Sequence, residues 1–157
     1  MLTKEILIKY EELSSPEELC ETEKGLVEAA VKAVGSSYAP YSHFNVGAAV
    51  LLDDGTVVTG SNQENAAYPS GLCAERTAMF SAGAQYPDRG IRCLAVAGGF
   101  DGVISDEPAA PCGACRQVMA QYQRKAGADM AVILIGARKL YRFSRVDDLL
   151  PMIFDNL

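Results

Sequence analysis

The stretch SGLCAERTA, residues 70–78, sets a thiol, a carboxylate and a guanidinium side by side at Cys73, Glu75 and Arg76, among residues that are otherwise small or apolar. It reads as the entry to a helix over 72–84, and the fold can be read outward from it. Upstream, FNVGAAVLL (44–52) and TVVTGSN (56–62) flank Asp53-Asp54-Gly55, and an Asp-Gly pair between two apolar runs favours a tight hairpin. Downstream, IRCLAVAG (91–98) reads as a strand and 112–124 as a second helix. MAVILI (130–135) reads as a strand that is apolar on both faces, as in a covered sheet interior, and KLYRF (139–143) as one more strand. RVDDLLPMIF (145–154) closes the chain with about one helical turn, broken by Pro151. The order ββαβαβ, with helices between the later strands, predicts an α/β fold: a three-layer α/β/α sandwich around a mixed five-stranded sheet.

Before the hairpin, Leu26, Val27, Ala30, Val31 and Val34 recur at helical spacing, and Gly35 offers a stop ahead of the loop SSYAPYSH. Ser15-Pro16-Glu17-Glu18 has the form of a capping box with proline at the first helical position. KEILIKY (4–10) could be a short strand, and residues 1–20 read as an N-terminal extension. The whole chain, 1–157, is expected to form one domain: it is 49% hydrophobic and 22% charged, enough for one core.

The formal net charge is −6, and no run of Lys or Arg offers a surface for tracking phosphates, which argues against a nucleic-acid partner. The charged N-terminus lacks the apolar region of a signal peptide, and no stretch approaches the roughly 20 apolar residues of a membrane span. A soluble, cytoplasmic protein is expected, with no membrane partner. Its five cysteines, an odd number, fit a compartment that keeps thiols reduced. Cys93 lies in an apolar strand and reads as core, and Cys20 as an incidental thiol in an acidic segment.

Three cysteines remain. Cys112-Gly-Ala-Cys115 follows Pro111 at a helix start, and residues three apart on a helix lie about 60° apart around its axis, so both sulfurs can face one ion. Alone, Cys-x-x-Cys is equally compatible with redox chemistry or a zinc knuckle. Cys73, at another helix start, can converge on the same point. Three thiolates without a fourth cysteine or a histidine describe one zinc ion per chain with an open coordination position, the pattern of catalysis. Three thiolates overcompensate a divalent ion, and Arg76 together with the two helix N-termini can temper them. Glu75 is then left free to move protons. His43, the only histidine, reads as a loop residue outside the ligand set.

Cys73-Ala74-Glu75 followed by Pro111-Cys112-Gly113-Ala114-Cys115 has the form by which zinc deaminases are known. With YAPYSHFNVGAAV, GSNQENAAYPSGLCAERTA, PCGACRQV and the terminal LLPMIF, the chain over about residues 24–154 resembles the cytidine deaminases of the three-cysteine, homotetrameric branch. The resemblance implies hydrolytic deamination of cytidine and 2′-deoxycytidine in pyrimidine salvage, with Cys73, Cys112 and Cys115 holding zinc. Attack by a zinc-activated water at C4 would be served by Glu75 as proton shuttle, and the partners implied are a nucleoside substrate and three further copies of the chain. It also implies that Asn62 and Glu64 hold the ribose, that Phe44 stacks on the base, that the Ala74 backbone reads the base edge, and that Tyr68 and Phe154 stand near subunit boundaries, Phe154 closing a neighbour's pocket. Read alone, NQEN is a polar loop, Phe44 a core residue and Glu75 a first-turn glutamate favoured by the helix dipole. The chain departs from the family at Ala109-Ala110, where a hydroxyl residue commonly precedes the proline.

A related deaminase of another cytosine compound, such as blasticidin S, would share the three-cysteine core, but Asn62 and Glu64 favour a ribose. A nucleotide deaminase would need a basic cluster or a Gly-rich loop for phosphate. A structural zinc module that binds a partner protein would need a closed site.

Overall fold

A computed structural model describes residues 1–155. Its elements are β1 (Glu11–Leu13), α1 (Glu21–Ala33), β2 (Phe44–Leu52), β3 (Val57–Ser61), α2 (Ala74–Gln85), β4 (Ile91–Phe100), α3 (Gly113–Ala126), β5 (Ala131–Ile135) and β6 (Leu140–Phe143), with short 3-10 turns at Pro16–Glu18, Val34–Ser36, Tyr68–Ser70 and Val146–Asp148. The strands form one mixed sheet in the order β1-β6-β5-β4-β2-β3. Only β4 and β5 run parallel, joined through α3, and all other neighbours are antiparallel.

The layering follows from alternation along the strands. Ala48, Val50 and Leu52 of β2, Leu94 and Val96 of β4, and Val132 and Leu134 of β5 face α2 and α3, packing on Ala78, Met79, Met119 and Ala120. The intervening Ala49, Cys93, Ala95, Ala97, Ile133 and Ile135 face α1, meeting Leu26, Val27, Ala30 and Val34. Both faces of β4 and β5 are therefore covered, in keeping with their unbroken apolar sequence. Val31, expected on the apolar face of α1, is instead 39% exposed, and Ala33 is buried in its stead. Between β2 and β3, Gly55 turns the hairpin at φ +89°, a conformation glycine adopts freely.

The three-layer arrangement is the expected one, but the sheet has six strands, not five. The additional strand is β1, supplied by the N-terminal segment at 11–13 and not at 4–10. It pairs with β6, with Glu11 opposite Arg142. Arg142 fixes the join, its guanidinium donating to Glu11 at 3.0 Å and to Glu23 of α1 at 2.9 Å, while the ring of Tyr10 lies stacked on Phe143 and edge-on to Tyr141. The capping box is present: Ser15 Oγ accepts from Glu17 N, and Glu18 Oε1 accepts from Ser15 N. It opens a single 3-10 turn, Pro16–Glu18, and α1 begins afresh at Glu21.

What positions the site is the close approach of α2 to β3. A Cβ at Gly60 would run into the backbone of Ala74 and Ala78, so glycine there lets the first turns of α2 lie directly on the sheet. On α3, the buried Gln123 accepts from Met130 N (3.1 Å) and Val146 N (2.9 Å), holding that helix to the entry of β5 and to the C-terminal turn. Among the described residues, no helix is long and apolar enough to cross a membrane.

Candidate metal centre and substrate cleft

Cys73 is the N-cap of α2 and Cys112 the N-cap of α3, both with extended backbone and neither spending its sulfur on a capping hydrogen bond to the helix backbone. The N-cap positions aim the free N–H ends of two helices at their sulfurs. Cys115 lies one turn into α3 and is wholly buried. The three sulfurs lie within 4.8 Å of one another, with Cys112 and Cys115 3.5 Å apart. Thiolates on a tetrahedral zinc at about 2.3 Å stand about 3.8 Å apart, so the spacing fits that ion.

Charge gives the same answer. The Cys73 thiol is held down at about 5, first by the hydrogen bond from Cys115 and then by Arg76, whereas Cys115 is pushed far up by Cys73 and by burial. Without a cation, one negative charge sits on Cys73 and Cys115 keeps its proton. A divalent ion would let all three ionise. Arg76 Nη2 donates to Cys73 Sγ at 3.4 Å, and Arg76 Nε is buried without a partner among the described residues. An orphaned cationic donor beside crowded sulfurs suits a centre that concentrates negative charge.

Glu75, two residues after Cys73, is only 5% exposed. Burial pushes its carboxyl above the usual glutamate range and the Cys73 charge adds to the rise, with Cys115 and Arg76 opposing. A carboxyl so placed exchanges protons closer to neutrality. Ala74, between them, is fully buried.

A cleft of about 460 Å³ opens beside Cys73 and Arg76, walled by Tyr41, Ser42, Asn62, Glu64, Tyr68 and their neighbours. Asn62 turns its amide onto β2, accepting from Val46 N (2.9 Å) and donating to Phe44 O (2.8 Å). Glu64 turns onto the turn before β2, its Oε2 accepting from Tyr41 N (2.9 Å) and Ser42 N (3.2 Å) and its Oε1 from the Ser42 hydroxyl. Tyr68 is 74% exposed, its ring edge-on to Tyr41. Phe44 is not on the cleft wall; its ring lies edge-on to Phe100, the residue opposite it on β4. Phe154 is 68% exposed, its backbone clamped on α3 by Gln117, whose amide donates to Phe154 O (2.8 Å) and accepts from Phe154 N (3.3 Å).

The structure thus brings together Cys73, Ala74, Glu75, Arg76, Cys112 and Cys115, and beside them Asn62, Glu64 and Tyr68, but sets Phe44 and Phe154 apart within this one chain. Sequence reasoning missed Ser42, Gln117 and Arg116. Arg116 donates to Pro111 O and Leu149 O at 2.8 and 2.9 Å, tying the thiol-bearing turn to the C-terminal segment. The place of Arg116 and Gln117 directly after Cys115 was the available signal.

Residues 20–128 match the family model described as the cytidine and deoxycytidylate deaminase zinc-binding region. The chain is 42% identical over 131 residues to a cytidine deaminase of Halalkalibacterium halodurans, covering 82% of this chain and 91% of that one. It is 39% identical over 127 residues to the cytidine deaminase of Mycobacterium tuberculosis, covering 80% and 84%. Among solved structures, it is similar to the cytidine deaminase of Burkholderia pseudomallei at 43% identity and a TM-score of 0.72, covering 83% of this chain and 97% of that one. With its three-thiol cluster fitting one zinc ion, the chain belongs to the cytidine and deoxycytidylate deaminase family.

Proposed function

We propose that this chain removes the exocyclic amine of cytidine and 2′-deoxycytidine by hydrolysis, giving uridine or 2′-deoxyuridine and ammonia. The observation that carries this reading is the three-sulfur cluster with Glu75 buried two residues beyond Cys73, next to a cleft of about 460 Å³. The curated names of the relatives support it.

Cys73, Cys112 and Cys115 hold the zinc, which when bound supplies the Lewis acidity that makes a water nucleophilic at neutral pH. Glu75 takes a proton from the attacking water, returns one to ring N3 and delivers one to the departing amine. The Ala74 backbone reads the base edge, and Phe44 stacks on the base once its ring turns from Phe100 toward the cleft. Asn62 and Glu64 hold the ribose: an amide and a carboxylate match neutral hydroxyls. Among the described residues, the one cation on the cleft wall, Arg76, is engaged with a thiol, which disfavours a phosphate. Arg76 tempers the charge of the sulfurs.

In this reading residues 1–157 work as one domain of a cytoplasmic homotetramer in nucleoside salvage, with Tyr68 and Phe154 at subunit boundaries; the exposed rings of Tyr68, Phe80 and Phe154 favour such burial. The test is to incubate zinc-loaded protein with cytidine, 2′-deoxycytidine and deoxycytidine monophosphate and to measure uridine-type product and ammonia. Equimolar product and ammonia from both nucleosides, with the nucleotide a poor substrate, is expected. No product from either nucleoside contradicts the reading.

A further inference from the structure

The loop before β2 carries a contact that neither the family's zinc chemistry nor the sequence reading used. The Ser42 hydroxyl accepts from Phe44 N at 3.0 Å and donates to Glu64 Oε1. A hydroxyl has one proton; with Phe44 N donating into a lone pair, that proton is directed at the carboxylate. The other Glu64 oxygen is taken by Tyr41 N and Ser42 N. The turn that presents these donors is closed by His43 N on Ala39 O (3.0 Å), with His43 in the left-handed region at φ 57°. It is zipped to the segment after β3 that bears Glu64 through Tyr38 N on Asn62 O (2.9 Å) and Glu64 N on Tyr38 O (2.8 Å).

A carboxylate has about four acceptor directions. Three are occupied by the turn, so the side chain is held in one orientation with one direction left. Ser42 and Glu64 both line the cleft, and that remaining acceptor is the one a ligand hydroxyl can meet. Preorganised acceptors cost less ordering on binding. We propose that Ser42 is a positioning residue for sugar recognition, its hydroxyl fixing the Glu64 carboxylate, and tying it to the start of β2, so that one acceptor direction stays aimed at a ribose hydroxyl. The proposal rests on the reading of Glu64 as a ribose contact.

Without the hydroxyl, Glu64 retains only the two backbone donors on Oε2 and can pivot about them. The test compares kcat/KM for cytidine with that for 2′,3′-dideoxycytidine, which lacks the hydroxyls Glu64 would meet, in the zinc-loaded parent, Ser42→Ala, Ser42→Thr, Glu64→Ala and the Ser42→Ala/Glu64→Ala double variant. The parent prefers cytidine and Glu64→Ala abolishes the preference. Ser42→Ala lowers the preference about 10- to 100-fold, the scale of one hydrogen bond to a charged group. This loss comes through a higher KM for cytidine, with dideoxycytidine turnover unchanged. Ser42→Thr restores it, and the double variant is no worse than Glu64→Ala. Equal losses on both substrates in Ser42→Ala mean a merely structural serine and overturn the proposal, as does an undiminished preference. If Glu64→Ala itself keeps the parent's preference, the ribose reading of Glu64 falls and the proposal with it, and that variant alone reveals this.

Discussion

Replacing Gly60 by alanine places a methyl group where β3 and α2 touch, in space filled by the backbone of Ala74 and Ala78. Backbone cannot swing aside as a flexible side chain can, so α2 must move off the sheet. Overpacking of this kind costs about 1–3 kcal/mol. At about 2–4 °C per kcal/mol for a chain of this size, the melting temperature falls by about 2–12 °C. Because Cys73, Glu75 and Arg76 ride on the first turn of α2 while Cys112 and Cys115 ride on α3, the same shift opens the sulfur triangle and weakens zinc retention. Gly25, inside α1, is the control: a Cβ there meets nothing within 4 Å. Alanine at 25 gains helix propensity of up to about 1 kcal/mol. Urea unfolding of zinc-saturated parent, Gly60→Ala and Gly25→Ala, with zinc content measured after dialysis, reads both effects. Equal stability for Gly60→Ala and the parent, or zinc retained as in the parent, refutes the packing argument.

Arg76→Gln removes the cation beside Cys73; zinc affinity, measured by chelator competition, is expected to fall about 10- to 100-fold with the fold retained. Thiol titration at pH 8 should count one fast-reacting cysteine in the zinc-loaded protein, the exposed Cys20, and three after zinc removal, when Cys73 and Cys112 join it while the wholly buried Cys115 stays slow. Cys93 stays silent until unfolding, since it is buried and its thiol is pushed up to about 12. Deleting residues 1–13 removes β1, the Arg142–Glu11 bond and the Tyr10 stacking. It should cost about 2–4 kcal/mol in urea unfolding, yet leave zinc content and cytidine turnover near the parent's.

The elements set by local pattern were legible. The Asp-Gly hairpin, the two cysteine-headed helices and the doubly apolar β5 each declare themselves within about fifteen residues. β1 did not, because its partner β6 lies more than a hundred residues away and the strongest apolar run nearby, Ile6-Leu7-Ile8, stays exposed. The metal cluster was legible because cysteine spacing at helix starts is itself short-range information. The anchoring of Glu64 was not: its donors at Tyr41 and Ser42 are 23 and 22 residues distant, and only the paired backbone brings them together. Phe44 shows the same limit, since its ring is turned by Phe100 on a strand not adjacent in sequence.

In the proposed reaction, Glu75 is the group that moves protons in hydrolytic deamination of a nucleoside. The most direct measurement is the rate of uridine and ammonia release from cytidine by Glu75→Gln against the parent, each holding one zinc per chain. A variant that folds and binds zinc as the parent does, but turns over about 10²- to 10⁴-fold more slowly, is the predicted result. Turnover by the zinc-loaded variant within a few-fold of the parent contradicts it.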